Sequence, residues 1–186
     1  MKCLRTFVIC GGLAVLYALP LFTLPGIGAI FLKIDTIPGE STDSDHKDWI
    51  EILSFSHGTS EPTPGTTGTG QGGRECIQDL SFTKFIDKSS PKLMLQCLKG
   101  TQLADATLVV TADDGSGTGA FYEYLTIKLI DVVVSSVANA GDSSSPDRPV
   151  ESFAINFTKI EYSYTENDAA KTKTEVRWDF EQNQEY

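Results

Sequence analysis

The chain has 186 residues, 40% of them hydrophobic, which suits one domain of ordinary size with a real core. Its 15 basic and 25 acidic residues give a formal net charge of −10; setting aside Lys2 and Arg5 at the N-terminus leaves 13 against 25, or −12. Such an acidic surface repels phosphate backbones and anionic lipid, which argues against nucleic-acid binding and against electrostatic docking on membranes.

In chain order, Lys2 and Arg5 precede an uncharged run from Thr6 to Leu32. A basic start followed by an apolar segment is the layout of a Sec signal peptide, and Gly26-Ile27-Gly28 or Ala29 offers small residues for cleavage. The run is also long enough to span a bilayer, although Gly11, Gly12, Pro20 and Pro25 weaken a continuous helix. Residues 1–28 are therefore a leader, with three readings open: a cleaved signal peptide, a membrane anchor, or a start codon assigned too far upstream. Residues 29–186 form the domain, and it meets a membrane only through an uncleaved leader. Of the four cysteines, Cys3 and Cys10 lie in the leader. Cys76 and Cys97 lie in the domain, without metal-like spacing; they read as free thiols or apolar fillers, or as a pair if the domain is exported.

The segments Phe31–Ser41 (FLKIDTIPGES) and His46–Gly58 (HKDWIEILSFSHG) read as strands with turns. His57–Gly73 (HGTSEPTPGTTGTGQGG) is rich in Gly, Thr and Pro, and an irregular loop of that length inside a domain is usually functional or disordered. From Asp79 to Gly100 the chain reads as strand, capped helix and stop. Leu80 and Phe82 alternate with Ser81 and Thr83, the pattern of a half-buried strand. Ser89 or Ser90 offers an N-cap oxygen and Pro91 fits the first turn. Leu93, Met94 and Cys97 share an apolar face, and Gly100 can take the left-handed conformation that ends the helix. Two further polar breaks follow, at 111–120 and 139–149, the first carrying an Asp113-Asp114-Gly115 turn.

Two strands change phase. Leu125, Ile127 and Leu129 give way to Ile130, Val132 and Val134, and Phe153, Ile155 and Phe157 give way to Ile160, Tyr162 and Tyr164. Either a bend absorbs the shift, or both faces are buried, one in the core and one against a neighbour. The last strand is cleaner: Val176, Trp178 and Phe180 point one way, and Glu175, Arg177 and Asp179 the other.

The residues for catalysis are missing. His46 and His57 form no HxxxH, HxE or CxxC arrangement, and Ser135 and Ser136 lack a nucleophile-elbow frame. TGTGQGG has no phosphate-loop lysine, and no acidic residues follow Asp113 and Asp114 at calcium-loop spacing. The expectation is a non-enzyme with no catalytic residue, cofactor or metal.

Five strings in order carry a family resemblance: Phe31–Ser41, His46–Gly58, Tyr124–Val137 (YLTIKLIDVVVSSV), Glu151–Tyr164 (ESFAINFTKIEYSY) and Trp178–Asn183 (WDFEQN). Together with the Asp79–Gly100 segment they resemble the haemolysin-coregulated (Hcp) family of type VI secretion tube proteins. The resemblance implies a small closed β-barrel of antiparallel strands with one flanking α-helix and an extended loop, assembling into hexameric rings that stack and can carry effectors in the lumen. It makes Gly58, Thr59, Pro62, Pro64, Gly65, Gly68, Gly70 and Gly73 a ring-stacking loop. Ser90, Pro91, Leu93, Met94, Cys97 and Gly100 become a structural helix. The implied partners are other copies of the chain and the secretion system's sheath, spike and effector proteins, and the protein is secreted. The leader departs from this pattern and supports an alternative, a Sec-exported Hcp-like binding module that is monomeric or ring-forming and serves no secretion tube.

Overall fold

The computed structural model describes residues 27–60, 76–143 and 148–186. Eleven strands and one helix follow in chain order: β1 (Ile27–Ile34), β2 (Ile50–Glu51), β3 (Ser54–Ser56), β4 (Thr59–Ser60), β5 (Cys76–Ile77), β6 (Leu80–Phe85), α1 (Ser90–Lys99), β7 (Gln102–Asp113), β8 (Phe121–Ala140), β9 (Val150–Asn156), β10 (Lys159–Thr165) and β11 (Lys173–Asp179). Pairing is antiparallel throughout. The main sheet runs β2-β1-β7-β8-β9-β6-β3, with β10 and β11 branching from β8, while β4 and β5 form a separate ribbon at the base of the long loop.

A closed ladder, expected from the family resemblance, does not form among the described residues. The sheet path has two ends, β2 and β3, and these are successive pieces of one stretch, residues 50–56. Ile52 N donates to Ile30 O at 2.9 Å, and Leu53 N donates to Thr83 O at 2.8 Å. The stretch hands its hydrogen bonds from β1 to β6 within two residues. Each residue has one backbone N–H to give, so so short a crossover serves the two edges in turn. The ends are joined by the chain itself.

Both phase changes read from the sequence sit at one bend. Asp131 has a φ of 56°, and the β7 pairing passes it unshifted, from Ala106↔Leu129 to Leu103↔Val132. On the other edge of β8, Lys159↔Ile130 and Val133↔Asn156 belong to one register, so β9 and β10 bend together. Thr158 fixes the corner: its N–H reaches Ile130 O at 3.1 Å and its Oγ1 donates to Asp131 Oδ2 at 3.1 Å. Leu125, Ile127, Leu129, Val132 and Val134 consequently all enter the same core. Phe153, Ile155, Phe157 and Ile160 do the same, but Tyr162 and Tyr164 remain exposed.

Helix α1 packs against β8 and drives Leu93, fully buried, into the core; Cys97 is a half-buried free thiol on the same side. Met94 is half-buried, Pro91 is exposed, and Gly100 (φ 57°) returns its N–H to Cys97 O at 3.2 Å. The N-terminus departs from the expected serine cap, because neither serine side chain bonds the first-turn amides. Asp87 organises this end. Its Oδ1 accepts from Ser89 N (2.8 Å), Ser89 Oγ (2.5 Å) and Lys84 Nζ (2.7 Å), while Ser90 Oγ accepts from Asp87 N at 3.2 Å. Lys84 occupies the third inward position of β6, after Leu80 and Phe82, and pairs across the ladder with Glu151 of β9. Both are fully buried. Lys84 Nζ lies 3.2 Å from Glu151 Oε1 and donates to Ser90 Oγ and Phe85 O, and Ser90 Oγ donates on to Glu151. This cluster fastens β6, β9 and α1 together.

This packing generates three predictions. A Cβ at Gly39 would stand 2.2 Å from the Trp49 carbonyl oxygen and 2.4 Å from Ile50 Cα, both backbone. Gly39→Ala forces the 39–50 hairpin apart and is expected to cost about 1–3 kcal/mol in urea unfolding; an unchanged midpoint contradicts the close approach.

Lys84→Met strands buried carboxylates and is expected to cost about 3–5 kcal/mol, most of it recovered by the pair Lys84→Met/Glu151→Leu. Burial pushes the Asp87 carboxyl up, but hydrogen bonds from Lys84 and Ser89 outweigh it and hold the group below its usual 3.8. The folded value is therefore depressed. The resulting stabilisation is complete above pH 3.8 and is lost as pH falls through the lower folded value. Denaturant midpoints measured across pH 2–6 check this, and Asp87→Asn should flatten the acid limb.

Candidate assembly surface

Among the described residues no group of three or more His, Cys, Asp and Glu side chains is gathered as a metal site. An exposed serine–carboxylate contact joins Ser135 Oγ to Asp79, whose other oxygen accepts from Asn156 Nδ2 at 2.8 Å. No imidazole takes part in it. His57 lies half-buried with its ring centroid 5.8 Å from that of Phe157; its Nε2 has no partner among the described residues, and burial pushes its pKa down. His46 is engaged at both ring nitrogens by carboxylates. Asp114, in the 113–120 turn, accepts from Ser116 N, and Asp113 from Gly115 N, the pattern of a self-capped turn.

What the surface offers instead is uncovered apolar area. On β10 and β11, Tyr162 pairs with Val176 and Tyr164 with Thr174, and these side chains share the face that buries Ile160 further along. Tyr162, Tyr164 and Val176 are 42%, 45% and 54% exposed. Tyr124, an extra residue where the β7–β8 register shifts between Val110 and Thr111, sets its ring edge-on to Tyr164 with centroids 6.3 Å apart. Lys171 caps the group, its Nζ 3.8 Å from the Tyr122 ring centroid. The core face of the sheet thus continues outward into side chains that are about half exposed. Tyrosine at such a place is the usual composition of a protein-binding surface, a large apolar area with a polar tip.

A second apolar area lies on the outer side of α1, where Leu95 is exposed and Leu98 is 78% exposed. The stretch from Lys88 to Gly100 carries Lys88, Lys92 and Lys99 and no acid, against the sign of the whole chain. A third surface is a shallow depression of 280 Å³ on the outside of β3, β6, β9 and the far half of β8, floored by small side chains such as Ser54, Ser81, Ser152 and Ser136. Of the expected stacking loop, Gly58 and Thr59 are described: Gly58 O accepts from Gln78 N at 3.2 Å, and Thr59 pairs with Ile77. Pro62, Pro64, Gly65, Gly68, Gly70 and Gly73 lie outside the described residues, as does nearly all of the 1–28 leader.

The sequence reading missed Lys84–Glu151 and the seating of His46. Lys84 had a visible signal, a lysine at an inward position of an alternating strand; the His46–Glu123 contact had none, because it joins positions 77 apart.

The family model described as "Type VI secretion system effector, Hcp" matches residues 31–164. The protein named Protein hcp1 from Pseudomonas aeruginosa is 38% identical over 159 residues, covering 83% of this chain and 96% of its own. Among solved structures, Hcp1 from Salmonella typhimurium matches with a TM-score of 0.69 at 28% identity, covering 85% of this chain and 98% of that one. A type VI secretion system effector from Yersinia pestis matches with a TM-score of 0.65 at 31% identity, covering 81% and 98%.

Proposed function

The chain belongs to the Hcp family of type VI secretion proteins, and from that premise we propose that it is a tube subunit forming hexameric rings that stack and hold effectors in the lumen. The observation that carries this reading is the 38% identity to Protein hcp1, which extends over 83% of the chain. The uncovered Tyr162–Tyr164–Val176 face gives it a physical basis. A sheet face whose apolar residues run past the core gains by being covered, and a cyclic assembly covers every copy alike. The helix face of Leu95 and Leu98 is a second, unlike patch, as head-to-tail ring contacts use. In this reading the loop from His57 to Gly73 reaches the next ring, and sheath, spike and effector proteins are the remaining partners.

Light scattering on the full chain measures the assembly. We expect a mass near six times the 20.2 kDa of one chain, less any leader removed; a monomer at high micromolar concentration overturns the ring. Tyr164→Glu together with Val176→Glu is expected to break the ring at unchanged melting temperature, since both side chains are already about half exposed. Replacing residues 61–73 by a short Gly-Ser turn should leave single rings intact and remove stacked tubes from electron micrographs.

The N-terminal segment favours a second reading. A leader of the Sec type would export an Hcp-like module that serves no cytoplasmic sheath. No described helix is long and apolar enough to cross a membrane. We propose that residues 1–28 are removed on export, with cleavage near Gly28 or Ala29. N-terminal sequencing of the native protein decides the matter: an intact Met1 in the membrane fraction marks an anchor, and a cytosolic product starting near Phe31 marks a downstream start.

A further inference from the structure

We propose that the fold locks the leader: the Gly28–Ala29 bond is cut only while β1 is free, and a chain that folds first keeps its leader. This rests on residues 1–28 being removed on export, and it selects one of the two candidate bonds. Gly28 and Ala29 form a bulge in β1. Ile27 pairs with Ala112 and Ile30 with Val110, so the two residues face Thr111 alone on β7. Thr111 is buried and fills the gap with its side chain. Its Oγ1 accepts from Ala29 N at 3.0 Å and donates to Ala29 O at 3.2 Å.

A peptidase holds its substrate as an extended strand and bonds the main chain on either side of the scissile peptide. Water then adds across the Gly28 C–Ala29 N bond, its oxygen going to the Gly28 carbonyl carbon and a proton to the Ala29 nitrogen. In the folded domain the main chain there is already engaged. Thr111 holds both backbone groups of Ala29, and Ile52 N donates to Ile30 O at 2.9 Å. Phe31 and Leu32 pair with β2 on one edge and β7 on the other. Gly28 lies so close to the Phe121 ring and to Thr111 Oγ1 that a Cβ would overlap both. Gly28 itself is exposed and Ala29 half-buried, so depth does not protect the bond. The ladder does: the segment must leave β7 before an enzyme can take it, and cutting follows the open fraction.

The order runs one way. A cut after Gly28 leaves Ala29 as the new first residue, with its nitrogen and carbonyl still able to bond Thr111, so the shortened chain closes the same bulge. A cut after Ala29 would take both of these bonds away from a buried hydroxyl, which is costly. The Gly26-Ile27-Gly28 spacing supplies the small residues that a signal peptidase needs before the cut. Gly28 is therefore small on two counts, the enzyme's pocket and the Phe121 ring.

The test uses the full chain with its leader, made without a peptidase, unfolded in urea and diluted into detergent micelles. Purified bacterial signal peptidase is added at increasing delays, and mass spectrometry reads the product. An unstructured substrate in the same tube shows that the enzyme stays active. We expect a chain beginning at Ala29 at zero delay. Once the domain has folded, cutting should be at least about a hundredfold slower, since freeing the segment breaks several hydrogen bonds. Thr111→Val removes both side-chain bonds at nearly constant volume. It should raise folded-state cutting about tenfold, the size of one to two hydrogen bonds, and leave zero-delay cutting unchanged. Phe121→Ala, at a ring 58% exposed, should act in the same direction and serves if the Thr111 variant fails to fold. A folded chain cut as fast as the unfolded one overturns the proposal. So does a product beginning at Ile30, or a folded variant cut no faster than the native chain. No cutting at zero delay removes the leader reading itself, and this proposal with it.

Discussion

At about 3.3 Å per residue, the 20 residues of β8 would reach roughly 65 Å if straight, in a domain whose radius of gyration should be near 15 Å. The bend at Asp131 resolves that conflict, and much of the fold depends on how it is made. A positive φ in one residue turns the strand without breaking its β7 register, and Thr158 on the opposite edge bonds both the carbonyl before the corner and the carboxylate at it. The near half of β8 then serves β10 and the far half serves β9, so one strand supplies two directions of sheet. Helix α1 packs against the same strand. The corner decides which side chains share a core.

The main core cluster is apolar, and at one end of it two charged side chains are fully buried. There, Lys84 and Glu151 continue the inward columns of Leu80–Ile155 and Phe82–Phe153, and the two phenyl rings stack at 4.9 Å. Replacing such an ion pair by apolar side chains can stabilise a protein, so its presence is poor evidence of stability as such. Its contribution here is geometric. Hydrogen-bond directions at the ammonium and at Ser90 allow the helix a narrow range of approach, which a greasy contact would leave loose. Glu151 Oε2 is a buried oxygen of the cluster without a partner among the described residues.

Local pattern was well preserved between sequence and fold. The alternation in β6, the run from Leu93 to Gly100, and the phase changes of β8 and β9–β10 all correspond to features of the structure, because each is written in neighbouring residues. The cap of α1 falls at Ser89, as the residues suggest, but without a side-chain bond to the first turn, because the Ser89 hydroxyl donates to the charged Asp87 instead. Features joining remote segments were not legible. His46 meets Glu123 across 77 positions and Ser90 meets Glu151 across 61. The handover of residues 50–56 from β1 to β6 likewise needs both edges in place before it has meaning. A single chain read from one end shows what each strand is, and seldom whom it will face.

The long separation between β1 and β7 has a consequence for the order of events during folding. Ala29 and Thr111 exchange hydrogen bonds across 82 positions, and β1 finds its other neighbour, β2, for only two residues. Until β7 is complete, the first strand has almost nothing to pair with. Contacts of such sequence separation are reached slowly, since the loop entropy must be met before the ladder compensates it. The N-terminal strand is therefore among the last to settle, and the nascent domain stays open at the end that leaves the ribosome first.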